Sequence, residues 1–312
     1  MMVIKRPTQS ETFTDQTLRF SIPSRNARGR MVRLDGVLNA ILSAHKYPPA
    51  VERTLAEALV LAALLGASLK DVGGQLTMQA QTEAGPIKLL VCDYKNGALR
   101  GYAQFDPARI AMLGAQPSLF ALFGKGYLAI TFDRDAAEGQ EKGSRYQGIV
   151  PLEGQTLSEA AEHYFVQSEQ IPTLIRVAVD HAAGRCVAGG VMTQHLAEGE
   201  EGRERLHVKL DHPEWEHVAV MSGSIKPQEL ADPALPLEEI VWRLFHEETA
   251  VLIETGEVLS KGCRCELAHI RDVISRFPAS ERSEMANDSG IIVVDCKFCS
   301  RDFPITLASF NN

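Results

Sequence analysis

Six cysteines occur in this 312-residue chain, and four of them gather in the last fifty positions. They form a C-x-C pair at Cys263 and Cys265 and, thirty residues later, a C-x-x-C pair at Cys296 and Cys299. Two such pairs have the spacing to converge on one tetrahedral metal ion, and four thiolates are the ligand set of a closed structural zinc site. A closed set leaves no position for a water nucleophile, so metal-assisted hydrolysis is disfavoured. Lys261, Arg264, Lys297 and Arg301 flank the sulfurs, and their positive charge favours the thiolate form. Thiolates bind metal but also react with oxidants once the metal is gone. The residues alone therefore leave three readings open: a permanent zinc staple, a redox switch, or two structural disulfides. The last requires an oxidising compartment, and nothing in the chain suggests export.

Other candidates carry less. Cys92 and Cys186 lie inside apolar strand patterns without a nearby partner and read as buried small hydrophobes. His269, four positions after Cys265, shares a helix with it as a substitute ligand, but four thiolates make it unnecessary. The run Phe245-His246-Glu247-Glu248 lacks the second histidine of a zinc-protease helix. No Walker loop occurs, Gly124 with Gly126 is too sparse for a nucleotide loop, and Ser168-Glu169-Gln170 reads as a helix end without a triad. No enzymatic constellation emerges.

The elements that must position the cysteines follow from periodicity. Leu34, Val37, Leu38, Ile41 and Leu42 recur at helical spacing, and after Pro48-Pro49 a second helix through Val51, Leu55, Leu59, Ala62 and Leu65 is apolar nearly all round. Alternation from Gln75 to Gln81, a run from Ile87 to Tyr94, the Asn96-Gly97 turn signal and a return from Leu99 to Phe105 predict three antiparallel strands. Tyr127 to Phe132, Arg145 to Val150, Leu174 to Val179 and Cys186 to Met192 are expected to complete one sheet. Thr156 with Glu159 marks a capped helix carrying Tyr164 and Phe165. Between Ala197 and Arg205 the chain is dominated by Glu, Gly and Arg. A helix near Glu214 to Met221 follows, in a stretch punctuated by Gly223, Pro227, Pro233 and Pro236, and the whole reads as marginally stable on its own. Ile240, Val241, Leu244 and Phe245 give a short amphipathic helix. Between the cysteine pairs, Leu267, Ile270, Val273, Ile274 and Phe277 fit one helix face, and Ile291 to Val294 a strand ending at the second pair. The fold class expected is α+β, with a mixed sheet-and-helix domain at 16–195, a metastable linker at 196–236 and a C-terminal four-cysteine zinc module at 237–312.

Thirty-two basic against forty acidic side chains give a formal net charge of -8, which offers no global support for nucleic-acid binding. No stretch approaches the roughly 18 apolar residues of a membrane span. Met1 to Asp15 lacks the apolar run of a signal peptide and reads as a loose extension of a cytoplasmic protein.

Taken with the cysteine spacing, several stretches carry a resemblance: Arg28-Gly29 with Arg30 to Leu34, Tyr47-Pro48-Pro49-Ala50-Val51, Gly85-Pro86, Leu99-Arg100-Gly101, Tyr164-Phe165 through Thr173, Gly189-Gly190, and Trp242 to Glu248. The chain resembles the thirty-three-kilodalton heat shock protein family of redox-regulated chaperones. That resemblance implies one zinc ion on Cys263, Cys265, Cys296 and Cys299 in a reduced, inactive monomer. It implies that oxidation pairs Cys263 with Cys265 and Cys296 with Cys299, releases zinc and unfolds module and linker, and that a dimerising holdase then binds unfolding client proteins without ATP. Two departures stand out: Glu266 and Leu267 follow Cys265 where relatives often carry a small and then a basic residue, and the N-terminal extension is longer than usual. Two other classes compete: a static zinc-ribbon interaction module, and a thiol-disulfide oxidoreductase working through Cys296 and Cys299.

Overall fold

The computed structural model describes residues 2–3, 14–69, 74–134, 143–182, 184–196 and 212–310. Its frame is α+β, with a central helix held against two sheets that are antiparallel apart from one short parallel edge strand. The helix, Pro49–Gly66, starts with a proline in its first turn and carries Val51, Leu55, Leu59 and Leu61 to Leu65, all fully buried. A helix apolar on every side must be covered on every side. Gly190 of one sheet approaches Val60 so closely that a β-carbon there would clash, and at Gly101 of the other a β-carbon would stand 2.9 Å from Cys92 Sγ and press on Leu59 and Leu55 at 3.1 and 3.2 Å. Glycine at these two positions lets helix and sheets meet.

The first sheet runs, in spatial order, Met2–Val3, Leu252–Val258, Gln16–Ile22, Ala27–Leu34, Arg185–His195 and Thr173–Ala182. The second runs Ser260–Lys261, Ala98–Phe105, Ile87–Lys95, Gln75–Thr82, Gly126–Asp133 and Arg145–Pro151. The sequence reading placed its strands in one sheet. The structure divides them, because Gln16–Ile22, Ala27–Leu34 and Leu252–Val258, which the reading did not identify as strands, pair with the last two strands it did. The hairpin Ile87–Lys95 to Ala98–Phe105 turns at Asn96 and Gly97, both at positive φ, as the Asn-Gly signal requires. Thr156 caps Leu157–Tyr164 by accepting from the Glu159 amide.

The other face of the first sheet has a separate core. Leu18, Phe20, Ile22, Met31 and Val191 pack against Trp215 and Val218 of helix Pro213–Gly223, Leu230 and Ala231 of Pro227–Ala231, and Ile240, Val241 and Phe245 of Leu237–Phe245. The acidic run at 197–205 lies outside the described residues. Arg33 is fully buried beneath the short helix: its Nε donates to the carbonyl of Leu230 (2.8 Å), Nη1 to that of Leu235 (2.6 Å) and Nη2 to that of Glu229 (2.9 Å). Burial pulls its pKa down to about 10. Gly189 lies directly under Leu230, whose carbonyl oxygen would stand 2.0 Å from a β-carbon.

Candidate metal centre

The first cysteine pair leaves the second sheet at its edge. Ser260–Lys261 runs parallel to Ala98–Phe105, and the Gly262 amide donates to the Leu99 carbonyl (2.8 Å), so Cys263 and Cys265 emerge from a strand anchored in the core. The second pair sits in the turn between strands Ile291–Asp295 and Asp302–Thr306. There Cys296 accepts at its carbonyl from the amides of Cys299 (3.3 Å) and Ser300 (2.8 Å), with Ser300 at φ 54°. This knuckle points two Sγ atoms the same way.

The four sulfurs converge. Cys263 Sγ lies 3.2 Å from Cys265 Sγ and 3.4 Å from Cys296 Sγ, Cys265 Sγ lies 3.6 Å from Cys299 Sγ, and all four fall within 4.8 Å of one another, partly buried. Such a set can hold a metal ion on four thiolates. Burial raises the Cys263 pKa, but hydrogen bonds from Cys265, Cys296 and Cys299 outweigh it and bring the thiol down to about 7. Cys265 is pushed up by burial and then by those neighbours, and Cys296 is raised, first by burial. One thiolate stabilised by neighbouring thiols is the pattern of a cluster built to lose protons to a cation.

The flanking cations do more than neutralise charge. Arg264, between the first two cysteines, donates to Asp93 (2.9 Å), which also receives Arg100 Nε (2.7 Å) and is itself buried in the second sheet. Arg100 lies 4.0 Å over the ring of Phe298, inside the second cysteine pair, and Tyr102 meets the same ring edge-on at 4.9 Å. Lys261 Nζ donates to the Ala40 carbonyl (2.6 Å), Ser300 Oγ to that of Ala44 (2.8 Å), and the His45 ring meets the Lys297 carbonyl (2.8 Å). Both cysteine loops are thereby tied to the core. Asp93, Arg100, Tyr102 and His45 were missed by sequence reasoning. Only the Leu99-Arg100-Gly101 stretch marked the neighbourhood, without a role.

His269 is exposed and stands outside the sulfur cluster. The helix expected to pack through Leu267, Ile270, Val273, Ile274 and Phe277 ends at Ser275, and its apolar stripe holds no fully buried residue: Ile270 and Ile274 are half-buried, and Leu267, Val273 and Phe277 are exposed. Beyond the cysteine-bearing strand the buried apolar side chains are Ile292, Phe303 and Ile305. Cys92 is buried with its thiol pushed well up, and burial carries Cys186 to about 12, so neither joins the centre. Among the described residues no helix is long and apolar enough to cross a membrane.

The sequence matches the family described as Hsp33 protein over residues 15–306. The chain belongs to the Hsp33 family. Among curated relatives, the 33 kDa chaperonin of Caulobacter vibrioides (strain NA1000 / CB15N) is 38% identical over 294 residues, covering 92% of this chain and 93% of that protein. The 33 kDa chaperonin of Yersinia pestis (strain Pestoides F) is 33% identical over 290 residues, covering 93% and 91%. The crystal structure of the Hsp33 homologue from Thermotoga maritima superposes with a TM-score of 0.73 over 95% of this chain and 96% of that one at 20% identity, which establishes the shared fold.

Proposed function

We propose that this Hsp33 family member is a cytoplasmic, redox-regulated, ATP-independent holdase with one zinc ion on Cys263, Cys265, Cys296 and Cys299. The observation that carries the reading is the contrast between a converged sulfur cluster and a module with almost no apolar core. Zinc-thiolate bonds of about 2.3 Å in a tetrahedron set sulfurs about 3.8 Å apart, close to the spacings of 3.2, 3.4 and 3.6 Å. The donor set fits. Bound there, zinc cross-links the two loops without offering a coordination position for substrate.

Three buried side chains, at roughly 1.5–3 kcal/mol each, contribute less than structural zinc, which is worth about 10–16 kcal/mol in small modules, so the metal is the larger stabilising contribution to this module. Two hydrogen peroxides, one for each pair, each take two electrons from two thiolates and two protons from solvent and leave as two waters, so that four thiolates become two disulfides and the ligand set is abolished. The pairing Cys263–Cys265 and Cys296–Cys299 rests on the family resemblance.

The segment spanning helices Pro213–Gly223 and Pro227–Ala231 reads as a linker that masks the apolar face of the first sheet. Its hold depends on Arg33 and on continuity with helix Leu237–Phe245 and strand Leu252–Val258. Unfolding the module frees one end of that cover, and the bared face of Leu18, Phe20, Met31 and Val191 can receive exposed apolar segments of client proteins. The oxidised form then dimerises, as the resemblance implies. Chelator-detected zinc release together with suppressed client aggregation tests this reading. Zinc retained through oxidation would return the chain to a static interaction module.

A further inference from the structure

A second charged feature lies on the first sheet, away from the cysteines. Arg19 and Arg30 are direct cross-strand partners, and Arg28 lies two residues along on the same face. Like charges placed opposite one another destabilise a sheet. Arg30 is only 9% exposed, and its Nε and Nη1, with Nε of Arg19, are buried without a hydrogen-bond partner among the described residues. Arg28 Nε donates to Gln194 (3.1 Å). All three arginines line a small cavity of about 170 Å³ with Ser21 and Glu254. Glu254 is Arg19's partner on the other side, but it is exposed and, among the described residues, forms no ion pair with Arg19 or Arg30. Burial first, and then the repulsive charges of Arg28 and Arg19, bring the Arg30 pKa down to about 9.

A buried guanidinium with unpaired donors costs several kcal/mol unless an anion joins it. At about 30 Å³ per water, the cavity has room for five or six waters, or one tetrahedral oxyanion. Guanidinium forks match such an anion's paired oxygens. We propose that Arg19, Arg28 and Arg30 form a binding pocket for a small doubly charged oxyanion of the phosphate class. The pocket is independent of the zinc centre and of the redox reading.

The test is calorimetric titration of the reduced, zinc-loaded full chain with inorganic phosphate, with sodium chloride matched for ionic strength as control, and then with tripolyphosphate. Saturable one-to-one binding of inorganic phosphate is expected. Tripolyphosphate binding no tighter identifies the free ion as the ligand, and tighter binding identifies a chain's terminal phosphate. Arg30→Met should abolish binding while raising the melting temperature in chloride, because it removes an uncompensated charge. Arg19→Gln should weaken binding at least about tenfold. Phosphate heat no larger than that of chloride, or Arg30→Met binding like the parent, overturns the proposal.

Discussion

Arg33→Met tests how the linker is held. The arginine is fully buried and gives three hydrogen bonds to the carbonyls of Glu229, Leu230 and Leu235. Bonds from a charged donor contribute about 1.5–3 kcal/mol each, so the three sum to roughly 4.5–9 kcal/mol. Methionine relieves the desolvation of a buried guanidinium, a cost of several kcal/mol, and keeps the apolar stem. It leaves three carbonyls short of donors. A net loss of about 3 kcal/mol in docking remains, which shifts the ratio of docked to undocked linker roughly 100-fold. Under reducing, zinc-saturated conditions the variant should expose amides of 213–245 to hydrogen exchange far faster than the parent. It should also suppress client light scattering without any oxidant. A folded, zinc-loaded Arg33→Met protein whose linker amides stay as protected as the parent's, and which remains inactive, would refute the reasoning.

Asp93→Asn leaves Arg100 and Arg264 sharing a neutral partner and should loosen the cysteine module by up to about 3–5 kcal/mol; the readout is zinc capture by a chelator at least tenfold faster than in the parent. Cys296→Ser removes one of four ligands, and zinc analysis should find the metal lost while the core around Pro49–Gly66, which lies outside both the module and the covering helices, keeps its hydrogen-exchange protection. Acid should weaken linker docking through His195. Its pKa is lowered by burial and by His212, with Glu214 opposing, and its ring stacks toward His212 and Trp215 at 5.0 and 6.2 Å. A folded-state pKa below the unfolded value of about 6.5 means stability is full above that pH and falls as pH drops toward the folded value. Exchange rates in 213–223 should therefore rise as pH falls below about 6.5, and His195→Gln should flatten that rise.

Where one physical signal dominated, the chain was readable. The Asn96-Gly97 turn, the Thr156 cap and the Pro49–Gly66 helix, apolar nearly all round, each have a local cause and stand where the sequence places them. The four sulfurs came together as ligand spacing requires. Strands Gln16–Ile22 and Ala27–Leu34 were hidden because Arg19, Arg28, Arg30 and Arg33 interrupt the apolar alternation; Arg33 is buried only because carbonyls from 200 residues away receive it, which no local pattern records. Leu34 looked like the start of a helix, yet it ends a strand and the helix begins at Gly36. The stripe Leu267 to Phe277 has helical spacing without a core to face, so amphipathicity overstated the packing of the metal module. Asp93, which anchors Arg264, was invisible for the same reason as Arg33: its partners are distant in sequence.

The most direct measurement follows zinc and chaperone activity in the same samples. The reduced protein is treated with peroxide at elevated temperature in the presence of a chromogenic zinc chelator and a thermally unfolding client. The account predicts release of one zinc per chain in step with suppression of client light scattering, and reversal of both by dithiothreitol with added zinc. Zinc held throughout the treatment, or client protection arising while zinc remains bound, would contradict it.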